Sequence, residues 1–181
     1  MKKLLVFLVV FLSSIFICAE KSLAKEHYIA LASASLHTGQ VTISQDLRPK
    51  QLKNFLTKYN SPLLPYAQMV IYYADLYQIP WTLVVAISGV ESTFCQHIPR
   101  ASHNCWGWNN GKFAFKNYDH AIESVSKSIR LKYYDRGLNT PERMSRVYAP
   151  PSHTWASKVR YFTYLIENGP SSDFLAEQFT L

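Results

Sequence analysis

Apolar residues recur from Pro49 to Gly169 with the spacing of an α-helix. In the first such segment Leu52, Phe55 and Leu56 lie three and four positions apart, which places them on one helical face. Prolines near the starts of segments and glycines after their ends mark the limits. The pattern predicts an all-α domain. Its predicted helices cover residues 49–59, 63–78, 81–91, 120–134, 140–148 and 155–166.

The third segment, 81–91, is apolar almost all round. Its β-branched residues would also fit a buried strand, and periodicity alone does not separate the two structures. Pro80 before the segment and its length above ten residues favour a buried helix. A long loop over 92–118 follows, and Asp119 is the predicted N-cap of the next helix.

The N-terminal residues have the pattern of an export signal. Met1-Lys2-Lys3 precedes an apolar run that is shorter than the ~20 residues of a membrane-spanning helix. Ser22-Leu23-Ala24 has small residues where a signal peptidase cleaves, although an uncleaved anchor is an alternative. We therefore expect an exported protein that lies in the periplasm, outside the cell or in the cell wall. The predicted parts are a signal peptide over 1–24, a spacer over 25–48, a domain over 49–170 and a tail over 171–181.

The charge balance changes once residues 1–24 are removed. The 181 residues carry 19 Lys and Arg against 12 Asp and Glu, a net charge of +7, and removal of the signal leaves about +5. Between positions 112 and 160 there are ten basic and four acidic residues. Such a balance favours nucleic acid, a membrane surface or an acidic wall polymer as partner. Export narrows this choice to the wall, so we expect neither nucleic-acid binding nor stable membrane insertion.

Two cysteines remain after the signal is removed, Cys95 and Cys105. In an exported chain this pair predicts one disulfide, which would stabilise the fold by about 3 kcal/mol. The alternative is a zinc site that also uses His97 and His103, but the spacing matches no usual zinc motif. We therefore expect a disulfide, no metal and no cofactor.

Glu91 stands at the end of the apolar third segment. Burial raises the pKa of a carboxyl group, and the negative end of a helix raises it further. A carboxyl group that is still protonated near neutral pH can act as the general acid in glycoside cleavage. The simpler alternative is a helix-terminal glutamate that reaches solvent.

The loop after Glu91 is rich in aromatic rings, and it also carries amides and a hydroxyl. Sugars stack their C–H faces on such rings while their hydroxyls bond to polar groups. A cluster that merely fixes the loop, or nucleic-acid stacking, would look the same in sequence. The aromatic residues are Trp106, Trp108, Phe113, Phe115 and Tyr118, and the polar ones are Ser102, Asn104, Asn109 and Asn110.

Several short motifs together carry a family resemblance over residues 50–168. They are Asn60-Ser61-Pro62-Leu63, Ile87 through Glu91-Ser92-Thr93-Phe94, Ile98-Pro99, Asn104-Cys105-Trp106-Gly107-Trp108, Tyr148-Ala149-Pro150-Pro151 and Trp155-Ala156-Ser157-Lys158-Val159. In combination the chain resembles bacterial lysozyme-like, glucosaminidase-type peptidoglycan hydrolases. The resemblance implies a lysozyme-like helical domain with Glu91 as catalytic acid and a long aromatic loop after the catalytic helix. It also implies that Asn104, the segment from Trp106 to Trp108, and Tyr148 line the sugar groove. Cys95 stands where such enzymes often have glycine.

A second carboxylate for hydrolysis is not marked by any motif. Each acidic residue that could serve as this second carboxylate also has an ordinary structural explanation. Two reactions would need only one acid: hydrolysis assisted by the N-acetyl group of the substrate, and a lytic transglycosylase reaction. We expect a monomeric enzyme that cleaves β-1,4 bonds of peptidoglycan or a related amino-sugar polymer, of the glucosaminidase or muramidase type. The alternatives are a lytic transglycosylase and a non-catalytic wall-binding module. The candidate second carboxylates are Asp119, Glu123, Asp135 and Glu142.

Overall fold

The computed structural model describes residues 46–169 and is helical throughout this part of the chain, with no strand in it. The prediction of an all-α domain is confirmed. The predicted signal peptide over 1–24, all but the last three residues of the spacer over 25–48, and the tail over 171–181 lie outside the described residues. The helices are α1 (Arg48–Lys58), α2 (Ala67–Leu76), α3 (Leu83–Ser92), α4 (Tyr118–Lys132), α5 (Pro141–Tyr148) and α6 (Trp155–Asn168).

The second predicted helix is divided in two, which corrects the single helix predicted over 63–78. A 3-10 turn over Leu64–Tyr66 precedes α2, and the Tyr66 N–H donates to the Leu63 carbonyl at 2.9 Å. This segment is thus closed by the i→i−3 bond of a tight turn, and the regular α-helix begins only at Ala67. Gln78, with φ of +51°, lies just after the end of α2.

The prediction that Asp119 is the N-cap of α4 is wrong. Asn117 is the N-cap, and its side-chain oxygen accepts the His120 N–H at 2.8 Å. Asp119 lies in the first turn and bonds to the Tyr73 hydroxyl at 3.2 Å. The helix start predicted at Thr140 is confirmed, because its side chain accepts the Arg143 N–H.

Helix α3 forms the centre of the core and packs against α6. Its residues from Leu83 to Gly89 are all buried. A Cβ atom at Gly89 would lie 2.5 Å from the Phe94 ring and 3.0 Å from Phe162, so glycine allows these rings to approach the helix. Only ten residues long, α3 is too short to span a bilayer, and no other helix within 46–169 is long and apolar enough to do so.

Candidate active site

The loop between α3 and α4 is fixed to the end of α3 by a disulfide. Cys95 and Cys105 are bonded to each other, as predicted, with their Cα atoms 4.7 Å apart. The Ser92 hydroxyl accepts the Cys95 N–H at 3.0 Å and donates to the Cys105 carbonyl at 2.8 Å. Both sulfur atoms that the alternative zinc site would require are therefore used in the disulfide.

The backbone of this loop is unusually rich in left-handed residues. Three follow one another directly after α3, where Thr93, Phe94 and Cys95 have φ values of +52°, +56° and +70°. Such conformations are costly for residues with a side chain and persist only where the surroundings hold them. A second group lies at the far turn of the loop, where asparagine and glycine adopt this conformation readily. That group is Gly107, Asn109, Asn110 and Gly111.

Asn104 and Ser102 use their polar groups to hold this loop. Asn104 is 2% exposed, and its side-chain nitrogen donates to the carbonyls of Trp108 and Phe113, each at 2.9 Å. Its side-chain oxygen accepts the Trp108 N–H at 3.1 Å. The buried Ser102 hydroxyl accepts the Asn104 N–H at 3.1 Å. The structure thus gives both predicted substrate-binding residues a role inside the protein.

Trp106 joins the loop to the core. Its ring is 1% exposed, and its indole N–H donates to the Val84 carbonyl of α3 at 2.8 Å. The Trp106 carbonyl accepts the Tyr148 hydroxyl at 2.7 Å. In this conformation the ring cannot stack on a ligand, so we assign Trp106 the task of fixing the loop against α3 and α5.

Glu91 lies half-buried in the last turn of α3, between the loop and α6. One carboxyl oxygen accepts the Trp155 indole N–H at 2.7 Å. The other would be 3.0 Å from a Cβ atom at Gly107, which is a tight contact, and the φ of +68° at this position also favours glycine. Burial raises the pKa of Glu91 above its usual value, while the Trp155 bond opposes this in part. The predicted direction of the pKa shift is confirmed.

Tyr148 and Trp155 form the helical side of the site. Their rings are stacked with centroids 5.0 Å apart. Burial raises the pKa of Tyr148 well above its usual value, and the negative charge of Glu91 adds to this effect. The Tyr148 hydroxyl therefore stays protonated and remains a donor at neutral pH.

A cleft of about 530 Å³ opens beside Glu91. Glu91 is not one of its lining residues; it lies next to the cleft, in contact range of Gly107 and electrostatically coupled to Tyr148, which both line it. Trp108 is half-buried, and Phe113 is 41% exposed. The cleft is lined by Trp106, Gly107, Trp108, Asn109, Asn110, Phe113, Ser128, Ile129, Lys132, Tyr133 and Tyr148.

The four candidate second carboxylates all have partners away from this lining. Asp119 accepts a hydrogen bond from the Tyr73 hydroxyl, and Glu123 accepts one from the Tyr77 hydroxyl. Asp135 pairs with Arg130 at 2.8 Å, and Glu142 forms an ion pair with Arg160. No aspartate or glutamate is among the described residues that line the cleft.

Sequence reasoning left Trp155 and Lys132 out of the site. Trp155 entered the sequence analysis only as part of a segment that carries the family resemblance and was given no site role. A buried indole N–H usually has a hydrogen-bond partner, and this requirement was the available signal. Lys132 lines the cleft from the last position of α4, and nothing in its local sequence distinguishes it from the other lysines of this region.

Three comparisons were made, with protein-family models, with curated proteins and with solved structures. No match was found in any of the three.

Proposed function

We propose that the protein cleaves the β-1,4 glycosidic bonds of peptidoglycan or a related amino-sugar polymer, with Glu91 as general acid. The observation that carries this proposal is the Glu91 carboxyl group, which is half-buried, bonded to the Trp155 indole and located beside a 530 Å³ cleft. The cleft also offers an aromatic face, Trp108, and exposed amides, Asn109 and Asn110. Rings and amides together suit sugar binding.

The proposed fold is a lysozyme-like helical domain. Two features support it: the acid ends a buried central helix, and the loop that follows this helix forms one wall of the cleft. The resemblance over residues 50–168 supports the same assignment. Export to the periplasm, the cell surface or the medium is proposed on the basis of the N-terminal pattern, which lies outside the described residues.

The chemistry of the acid follows from its surroundings. Because burial raises the pKa of Glu91, the carboxyl group stays protonated to a higher pH than a solvated glutamate does. In this state it donates a proton to the glycosidic oxygen as the bond to the sugar breaks. The Trp155 N–H then stabilises the carboxylate that is left behind.

A specific observation favours a lytic transglycosylase as the second candidate. The four acidic residues weighed as a second carboxylate are bonded elsewhere, and the described lining of the cleft contains none. A single carboxyl group is sufficient when a hydroxyl of the sugar itself attacks, since Glu91 can serve first as acid and then as base. Substrate assistance by an N-acetyl group would also need one carboxyl group.

The experiment compares the wild type with Glu91→Gln on purified peptidoglycan. We expect release of soluble glycan fragments by the wild type and a fall of about 10³-fold in Glu91→Gln, as for loss of a general acid. The matched control is Glu142→Gln, which removes an exposed carboxylate paired with Arg160 and should retain activity. Equal release by wild type and Glu91→Gln would refute the proposal.

The products separate the remaining alternatives. Fragments that end in 1,6-anhydro sugars indicate a transglycosylase, whereas reducing ends indicate a hydrolase. Tight sedimentation with insoluble peptidoglycan and no soluble product at any pH would instead identify a wall-binding module.

A further inference from the structure

A groove of about 240 Å³ lies between α1 and the C-terminal end of α6. It shares no lining residue with the cleft beside Glu91, so it is a separate feature of the described domain. Its floor is apolar and contains Phe55 and Ile166, which are 6% and 3% exposed. Its rim is polar and includes the exposed side chains of Asn54 and Lys58. An apolar floor with a polar rim is typical of a binding surface.

The groove fits a polypeptide segment better than a sugar. Among the described lining residues the one aromatic ring is Phe55, which is nearly buried and packs edge to face against Phe94 with centroids 5.2 Å apart. It therefore offers no open face on which a sugar could stack. A polypeptide can cover the apolar floor with its side chains while its backbone bonds to amides such as Asn54 and Gln51 at the rim.

The chain itself leads into this groove. Gly169 is both the last described residue and a lining residue, and its φ of +75° turns the chain at the end of α6. The start of α1 lies beside this end, because the Gln51 side-chain nitrogen is 3.5 Å from the Glu167 carbonyl oxygen. From Gln51 to Lys58 the groove extends about 10 Å along α1. Four extended residues span about 13 Å, so the residues after Gly169 are long enough to cross it.

The sequence that follows Gly169 complements the groove. Residues 170–181 lie outside the described residues, and their sequence holds apolar and acidic side chains but no basic one. The apolar side chains match the floor of the groove. The acidic ones match Lys58, which has no carboxylate partner within residues 46–169. The large apolar residues are Phe174, Leu175, Phe179 and Leu181, and the acidic residues are Asp173 and Glu177.

We propose that residues 173–179 of this chain dock in the groove between α1 and α6. The Phe174 ring covers the apolar floor, and Lys58 pairs with the acidic side chains of the segment. The docked segment thereby adds a contact between α1 and α6, the helix whose first residue, Trp155, donates to the Glu91 carboxyl group. The inference goes beyond the proposed function and does not depend on it, since the groove is separate from the cleft.

The test follows the rate at which a maleimide labels a thiol in the groove of the otherwise unchanged chain. The thiol is introduced by Asn54→Cys at the exposed rim, and labelling at position 54 is followed by peptide mass mapping. The protection factor is the labelling rate with Phe174→Ala and Phe179→Ala in the tail divided by the rate with the native tail. We expect a protection factor of about ten, because the segment without its two rings leaves the groove.

Two further comparisons identify the contacts. Lys58→Glu should lower the protection factor about threefold, as expected for an exposed ion pair, and added salt should lower the native value in the same direction. Asp173→Lys with Glu177→Lys should restore the factor in the Lys58→Glu chain. Because each factor is a ratio within one background, the effect of position 58 on the reactivity of the thiol cancels. The control is Lys127→Cys, an exposed site on α4 outside the groove, whose labelling rate should not respond to the tail variants.

A protection factor of one at position 54 would overturn the proposal. So would a factor that rises with protein concentration, because a second copy of the chain would then occupy the groove. A labelling rate at position 127 that rises equally with the tail variants would also overturn it, since the domain as a whole would be opening. A factor near ten that Lys58→Glu leaves unchanged would support docking and refute the ion pair.

Discussion

The two sides of the Glu91 site are built by different means. The loop between α3 and α4 is held by the Cys95–Cys105 disulfide and by the side-chain bonds of Asn104 to backbone groups. The helical side has two stacked rings, Tyr148 from α5 and Trp155 from α6, on regular helical backbone.

The comparison separates groups that hold the conformation of the loop from a group that adjusts the pKa of Glu91. In the loop, the buried polar side chain of Asn104 bonds to the loop itself. On the helical side, the Trp155 indole N–H is directed at the Glu91 carboxyl group. Substitution of Asn104 or of the disulfide cysteines should therefore reduce stability, whereas substitution of Trp155 should change the pKa of Glu91.

Removal of the disulfide should have the largest effect on stability. We expect Cys95→Ala with Cys105→Ala to lower the free energy of unfolding by about 3 kcal/mol, because the unfolded loop regains its freedom. The change is measured by denaturant unfolding of wild type and double variant. An unfolding free energy equal to that of the wild type would show that other contacts fix the loop.

Asn104→Ala should cost about 2 kcal/mol, since it removes the three hydrogen bonds that this buried side chain makes to backbone groups of Trp108 and Phe113. The control is Asn109→Gly, which removes an exposed amide at a φ of +53° that glycine adopts freely. Its effect should be within about 0.5 kcal/mol. Thermal or denaturant unfolding measures both, and equal losses would contradict the structural role of Asn104.

Gly107→Ala should lower the cleavage rate by about tenfold, because the added methyl group displaces the nearby Glu91 carboxyl group. Gly111→Ala is the control within the same loop. It has a similar φ, +78° against +68°, but its added atom would meet only Pro99 at 3.7 Å. An equal loss of activity in the two variants would mean that backbone strain, and not contact with Glu91, is the cause, and wild-type activity in Gly107→Ala would contradict the prediction outright.

Trp155→Phe should have the smallest effect on rate at low pH but should change the pH dependence. The indole N–H stabilises ionised Glu91, so its loss raises the pKa further and keeps the acid protonated to a higher pH. The alkaline limb of kcat/KM should move to higher pH. A Trp81→Phe variant serves as control, because the structure shows no bond from that indole to Glu91. A limb that is unchanged or moves to lower pH in Trp155→Phe would be inconsistent with this role.

The helices were largely predictable because their signals are local. Apolar spacing and prolines located α1, α3, α5 and α6 closely, and Thr140 was recognised as a cap. Errors arose where neighbouring residues competed for one role, as at Asn117 and Asp119. Both residue types are favoured N-caps, and the choice between them depends on which one has the extended backbone conformation of an N-cap, as Asn117 does.

The site was only partly predictable. Glu91 and the disulfide stood out because an acid after an apolar run and a cysteine pair in an exported chain are unusual. The roles of Asn104 and Trp106 could not be predicted in the same way, because the residue type alone does not show whether a side chain is buried or faces a ligand. Trp155 lies 64 positions from Glu91, so their contact depends on how α6 packs against α3.

The proposed mechanism depends on the half-buried Glu91 carboxyl group as the acid that cleaves the glycan. The most direct measurement compares the pH dependence of kcat/KM with the titration of the Glu91 side-chain carboxyl carbon, followed by NMR in the same protein. We predict that Glu91 titrates above the usual value for glutamate and that activity falls at the same pH as this carboxyl group loses its proton. A Glu91 titration that does not coincide with the loss of activity would contradict the account.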